Sequence, residues 1–304
     1  MTLTDEDREN LKGEVEIVAS ISGGKDSTAL SLWLHEQGIE HRRVFADTGW
    51  EHPWVYEQVD YLRDKLGPID VVGYPGGMES VIKKKGMFPS RLQRFCTQLL
   101  KVKPIQSYIH SLGSDVVNAV GVRADESEAR SKMPRWEWDE KGFDCYVWRP
   151  LIGWSENDVI EIHQRHAVKP CRLYLEYNVN RVGCWPCIFS RKSEIATVAR
   201  YTPEKIDKME AIEAEVQAKA AKRYAARGET FESKGHTPPT FYSATRVRDG
   251  RPRSTCIPIR EMVEWAQTAR GGKQMKMDLI LDQPDGGCMR WGMCEHDTSK
   301  DDSD

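Results

Sequence analysis

Six residues constrain this chain more than any others: Ser22-Gly23-Gly24-Lys25-Asp26-Ser27. The apolar run Ile17 to Ile21 leads into them, and a helical pattern from Ala29 to Leu34 leads out. Strand, glycine turn and helix in that order form a cradle for an anion. The glycines let the backbone approach a ligand with no Cβ in the way. The helix start offers unpaired N–H groups at the positive end of its dipole. Ser22 and Ser27 add hydroxyls, and Lys25 adds a mobile charge. Asp26 suits the first turn of a helix and is placed to help hold Mg2+. The spacing is not that of a Walker A loop, where four residues separate the first glycine from the Gly-Lys pair, nor that of GxGxxG.

The rest of the first half repeats strand and helix. Glu16–Ile21 reads as a strand and about Asp26 to Gln37 as a helix stopped by Gly38. Arg43 to Ala46 is a second strand, with Asp47-Thr48-Gly49 at its C-terminal end. A helix from about Trp54 to Leu66 follows Pro53 and stops at Gly67-Pro68. Ile69 to Val72 and Asp115 to Val120 are further strands, and Met78 to Lys85 is helical. This alternation predicts an α/β fold with a parallel sheet, whose ligand crevice faces the strand C-termini. Gly121 to Arg130 follows the fourth strand. Arg123 and Arg130 there could grip phosphate or sulfate as forks, or pair with the loop's own carboxylates. Trp136 to Asp139 and Tyr146 to Trp148 read as a hairpin, and Ser155 caps a helix to about His166. Residues 1–14 read as a polar lead-in. Beyond Lys192 the composition turns helical, with Pro203 opening a long helix, a polar link over 229–240, and a shorter helix from about Pro258.

Lys and Arg total 44 against 47 Asp and Glu, a formal charge of −3, which argues against DNA binding through bulk charge but leaves room for a local basic face. No signal peptide and no membrane-length apolar run is present, so a cytoplasmic protein with no membrane partner is expected. Eight cysteines then need a use other than disulfides. Cys184-Trp185-Pro186-Cys187 is a CxxC, open to zinc, redox-pair and iron–sulfur readings. Cys288 and Cys294 sit in a glycine-flanked loop, and Cys96 lies in a cationic stretch, Arg91 to Pro104. Cys145, Cys171 and Cys256 read as ordinary packed thiols.

The glycine loop, Cys96 to Lys101, Gly121 to Arg130 and Cys184 to Cys187 occur in an order that resembles the phosphoadenosine phosphosulfate (PAPS) reductase family. That family belongs to the PP-loop ATP pyrophosphatase superfamily. The resemblance runs from about Glu14 to Glu194. It implies a doubly wound parallel sheet with an adenine nucleotide, ATP or PAPS, over the strand C-termini. It implies domains of 1–190 for the nucleotide and 191–296 for a mainly helical region carrying the cysteine loop, with 297–304 a disordered tail. Ser22, Gly23, Gly24, Lys25, Asp26 and Ser27 match its phosphate loop, and Asp47 and Thr48 its nucleotide-proximal pair. Arg123, Glu126, Ser127 and Arg130 match the stretch near the ligand's anionic end. Lys25, Asp26 and Arg123 are the catalytic candidates. Cys96 and Lys101 match the segment that supplies cysteines and a basic residue in cluster-bearing members. Cys96, Cys184, Cys187, Cys288 and Cys294 are then the candidate ligands of a [4Fe-4S] cluster.

Departures from the family pattern sharpen the expectation. Sulfonucleotide reductases carry an altered glycine loop and a Glu-Cys-Gly-Leu-His ending; this chain keeps SGGKDS and lacks that ending. Cys96-Thr97 stands where cluster-bearing reductases have adjacent cysteines. The expected activity is ATP-dependent adenylation, releasing AMP and pyrophosphate, coupled to sulfur transfer. The acceptor would be a nucleic acid or a small molecule, and a sulfur donor protein would be its partner. The alternatives are a PAPS or adenylylsulfate reductase releasing sulfite, and a nucleotide-binding regulator without turnover.

Overall fold

The computed structural model describes residues 2–90, 92–113, 115–248, 251–268 and 291. Cys288, Cys294 and the 297–304 tail lie outside them. The chain begins with α1 (Asp5–Asn10), then β1 (Glu16–Ile21), α2 (Lys25–Glu36), β2 (Arg42–Asp47), α3 (Pro53–Leu66), β3 (Asp70–Gly73) and α4 (Gly77–Lys85). A helical run follows in three parts: α5 (Phe95–Thr97), a π-turn (Gln98–Val102) and α6 (Lys103–Leu112). Next come β4 (Val116–Ala119), α7 (Glu128–Ser131), β5 (Trp136–Trp138), β6 (Tyr146–Trp148), α8 (Glu156–Arg165) and α9 (Arg172–Glu176). The C-terminal part holds α10 (Lys192–Tyr201), α11 (Pro203–Ala225), β7 (Tyr242–Arg248), β8 (Arg251–Ile257) and α12 (Ile259–Gln267).

Six strands form one sheet in the order β3-β2-β1-β4-β6-β5. All neighbours are parallel except β5, which returns antiparallel on β6. The alternation along β1 explains why helices cover both faces. Ile17, Ala19 and Ile21 turn to one face and join Leu30, Leu34, Val55 and Val59 of α2 and α3. Val18 turns to the other, with Val44, Ala46, Ile105 and Ile109 of β2 and α6. The result is a doubly wound α/β sheet with a helical C-terminal part. Strand order reverses between β1 and β4, so the loops after these two strands diverge and leave a crevice.

The stated strand and helix expectations hold to within about two residues, and several elements were not expected, among them α6, α9 and the two described next. The lead-in is not irregular: Thr4 and Asp7 form a capping box for α1, and Asp7 is fully buried. Its carboxylate takes hydrogen bonds from Arg135, Trp136 and Trp148, which pins α1 across the β5–β6 hairpin. Residues 242–257 form the antiparallel pair β7–β8, where no strand was expected. Buried Glu213 of α11 ties this pair to α12 by accepting from the backbone N–H groups of Phe241 and Ile259, at 2.9 and 3.1 Å.

Candidate functional site

The glycine loop follows β1 at the crevice. Gly23 has φ +71°, and a Cβ there would press on Val55 Cγ1 at 3.1 Å, so the turn requires glycine. Ser27 Oγ accepts from the Ser22 N–H at 3.0 Å and donates to the Gly24 carbonyl at 3.0 Å, which closes the loop on itself. Gly24 caps α2 without a side chain, leaving the first-turn N–H groups to other partners. The loop after β4 packs against this turn: a Cβ on Gly121 would stand 2.6 Å from the Asp26 carbonyl oxygen. That contact brings Arg123 onto Asp26.

Lys25, Asp26 and Arg123 form one charge cluster. Lys25 Nζ lies 3.1 Å from Asp26 Oδ2, and Arg123 Nε 2.5 Å from Asp26 Oδ1. Arg123 also reaches Asp125 at 2.6 Å. Lys25 and Arg123 are only 6% and 4% exposed. Burial disfavours the Arg123 charge, but Asp26, Asp125 and Glu126 outweigh it and raise its pKa. Two residues absent from the sequence expectations brace Lys25 from behind. Its N–H donates to Tyr174 Oη at 3.3 Å, its carbonyl meets His163 Nε2 at 2.9 Å, and its ammonium lies 5.5 Å from the centre of the Tyr174 ring. Trp291 closes this layer edge-on to His163, with its carbonyl accepting from Gln164 at 2.8 Å. Arg130 pairs with Glu126, and Ser127 caps α7 by accepting from the Arg130 N–H at 3.3 Å.

The CxxC loop reaches the same edge from far along the chain. Glu51 and Cys184 form an isolated β-bridge. Trp185 N–H donates to the Trp50 carbonyl at 2.8 Å, and Trp50 Nε1–H to the Pro186 carbonyl at 3.1 Å. Beneath this bridge Glu51 is buried. It accepts from Thr48 Oγ1 at 2.6 Å, from the Thr48 and Trp50 N–H groups, and from Tyr56 Oη at 3.3 Å. Thr48 Oγ1 also touches Cys184 Sγ at 3.8 Å. Tyr56 donates to Asp47 as well, at 2.9 Å.

Opposite the thiols, the π-turn presents Lys101. Pro104 has no N–H for the Leu100 carbonyl, and the run widens just before it, with Lys103 N–H reaching back to the Gln98 carbonyl. Lys101 faces Cys184, Glu51, Cys187 and Cys96, and these neighbours raise its pKa, Cys184 most of all. Burial pushes the Cys184 thiol up while Lys101 pulls it down; burial also pushes Cys96 up. Arg181 is held charged by Cys187 and Glu194 against its own burial.

All this meets in one cavity of ≈ 350 Å³. Ser22, Gly24, Asp26 and Ser27 line it together with Cys96, Cys184 and Cys187, and with Thr48, Lys101, Glu126 and Arg130. Of the remaining expected residues, Gly23, Lys25 and Arg123 are not among those that line it, Ser127 caps α7, and Asp47 lines a second hollow with Gly49 and Gly73. Arg94 and Arg181 also line the cavity and were not anticipated. Among the described residues, no three His, Cys, Asp or Glu side chains gather as a metal-ligand set. Both Asp26 oxygens are engaged by cations, and the cavity supplies three thiols where a cluster takes four ligands. The described residues do not by themselves make a magnesium or cluster site.

The phosphoadenosine phosphosulfate reductase domain profile matches residues 16–190. The chain belongs to the PAPS reductase domain family. This family member is 30% identical to an uncharacterised 37.8 kDa protein of Escherichia phage 186, over 84% of this chain and 90% of that one. It is 29% identical to an adenosine 5'-phosphosulfate reductase of Streptomyces coelicolor, over 47% of this chain and 60% of the reductase, so it spans less than two thirds of that enzyme. Among solved structures it is similar to a PAPS reductase of Candida auris, with a TM-score of 0.44 and 20% identity over 61% of this chain and 97% of that one. Family membership places this protein among PP-loop, nucleotide-binding proteins of sulfur metabolism. No helix among the described residues is long and apolar enough to cross a membrane.

Proposed function

We propose that this protein binds ATP at Ser22–Ser27, adenylates an acceptor and delivers sulfur to it from a thiol of the same cavity. One observation carries the reading: residues of the glycine loop and Cys96, Cys184 and Cys187 line one and the same cavity. An acceptor oxygen attacks the α-phosphorus, the bond to the bridging oxygen breaks, and pyrophosphate leaves. The loop N–H groups and Lys25 stabilise the leaving charge. A persulfide sulfur on one cavity cysteine, supplied by a sulfur donor, then attacks the activated carbon, and AMP leaves. A second cavity thiolate attacks the first cysteine's sulfur. The thiolated product departs, a protein disulfide remains, and an external dithiol reduces it by two electrons. Asp26 and Arg123 hold Lys25 and the loop in register throughout.

The test is incubation with α-labelled ATP, Mg2+ and candidate acceptors, following AMP and pyrophosphate. Lys25→Ala should cut pyrophosphate release by about 100-fold or more, the usual scale for losing a preorganised electrostatic group. Absence of AMP with every acceptor tried would refute the reading.

The similarity to the Streptomyces reductase favours a second reading on the same cavity. A cavity thiolate attacks the sulfur of an adenylylsulfate, AMP leaves, and a second thiol frees sulfite with formation of a disulfide. Sulfite release from adenylylsulfate or PAPS, without ATP consumption, selects this reading over the first.

A further inference from the structure

We propose that Lys84, Lys85, Arg94 and Lys103 form a binding strip for an unpaired nucleic-acid strand, leading to the cavity mouth. The lysine run at the end of α4 divides. Lys83 pairs with Glu79 at 3.1 Å and Glu215 at 2.6 Å. Lys84 and Lys85 have no carboxylate partner among the described residues. Instead Lys84 Nζ meets Tyr74 Oη at 3.4 Å, and Lys85 Nζ lies 5.1 Å from the centre of the Phe95 ring. Arg94 places its guanidinium 4.9 Å from the Phe189 ring centre and has no carboxylate partner among the described residues either. Lys103 is exposed and, with Lys84, Tyr74 and Tyr108, lines an open cleft of ≈ 740 Å³. Tyr108 in turn hydrogen-bonds the carboxylate of Asp70.

The strip is continuous with the site. Leu99 and Leu100 are successive residues of the π-turn; Leu99 lines the cleft and Leu100 the thiol cavity. Arg94 lines that cavity too, and Leu92 beside it is 95% exposed. On a chain of net charge −3, four such cations along one path mark a site for an extended polyanion. Aromatic rings interleave with them, a pattern suited to stacked bases as well as phosphates, which an acidic peptide would not use. The strip is too long for a single small anion, since it passes from the cleft round the π-turn to the cavity. That the bound strand is also the sulfur acceptor rests on the adenylation reading; the binding does not.

The test is fluorescence anisotropy with a labelled single-stranded 20-mer in DNA and RNA forms, without ATP, across a salt series. Four phosphate contacts predict a slope of log K against log salt near −3, at about 0.7 per contact. Lys84→Glu/Lys85→Glu should weaken binding at least about tenfold at low salt and flatten the slope by about 1.4. Lys12→Glu/Lys65→Glu, on residues that precede β1 and β3, should change neither. Equal binding by the Lys84→Glu/Lys85→Glu protein, displacement by polyglutamate as effective as by the strand, or equal affinity for a duplex would each overturn the proposal. Adding ATP separates the two claims: intact binding with no stimulated pyrophosphate release ends the acceptor role and leaves the surface standing.

Discussion

A thiol buried beside an ammonium is pulled two ways, and Cys184 shows which residues set the balance. Burial raises its pKa, Lys101 lowers it, and Glu51 raises it again. Removing the cation therefore moves the thiol further up. In Lys101→Met, alkylation of Cys184 by iodoacetamide, followed by peptide mass spectrometry, should move its midpoint to higher pH. A higher midpoint slows the reaction near pH 8, since only the thiolate reacts. An unchanged profile would mean that Lys101 does not face the thiol. The sequence made Lys101 and Cys184 legible as neighbours only through the order of motifs. Glu51 and Tyr174 were not legible at all: a glutamate before His-Pro and a tyrosine in a five-residue helix carry no local signal. Their roles come from contacts spanning over 100 residues, Glu51 with Cys184 and Tyr174 with Lys25.

At the scale of the element, α1 is set by partners far away, while periodicity reports only local faces. α1 is six residues long, too short to be stable alone. It persists because Asp7 is clamped by Arg135, Trp136 and Trp148. Burial works to raise the Asp7 pKa, but the hydrogen bonds from Arg135, Thr4 and Trp136 win and hold it at about 2, against an ordinary 3.8. A depressed carboxyl contributes stability that is complete above its unfolded pKa and is lost as pH falls from about 4 through about 2. The contribution is on the order of 2 kcal/mol. Asp7→Asn should lower the melting temperature at pH 7 by about 3 °C. The gap between variant and parent should narrow toward pH 2. A gap that stays constant across that range would show that the carboxylate charge contributes nothing. The parallel strands, by contrast, were legible almost to the residue, because β1, β2 and β4 are buried on both faces and read as short apolar runs.

At the scale of the whole molecule, the far end of the chain returns to the first loop. Trp291 packs edge-on to His163 and at 6.0 Å from Tyr174, the two residues that hold the Lys25 backbone. The glycine loop is thus braced by α8, α9 and Trp291, as well as by the sheet. A ligand that binds only this assembled state must stabilise the entire fold. At 100 times its dissociation constant, it adds about 2.7 kcal/mol. For a chain of this size that is a rise in melting temperature of about 4 °C. ATP should produce it in the parent protein and in Cys184→Ser, whose thiol lines the cavity but is not part of the loop. Lys25→Ala should abolish it, and Trp291→Ala should reduce it while leaving the sheet intact by far-ultraviolet circular dichroism. The contrast between Cys184→Ser and Lys25→Ala is the decisive part. A shift lost in Cys184→Ser but kept in Lys25→Ala would place the nucleotide at the thiol wall, and the assignment of Ser22–Ser27 as its phosphate cradle would fall.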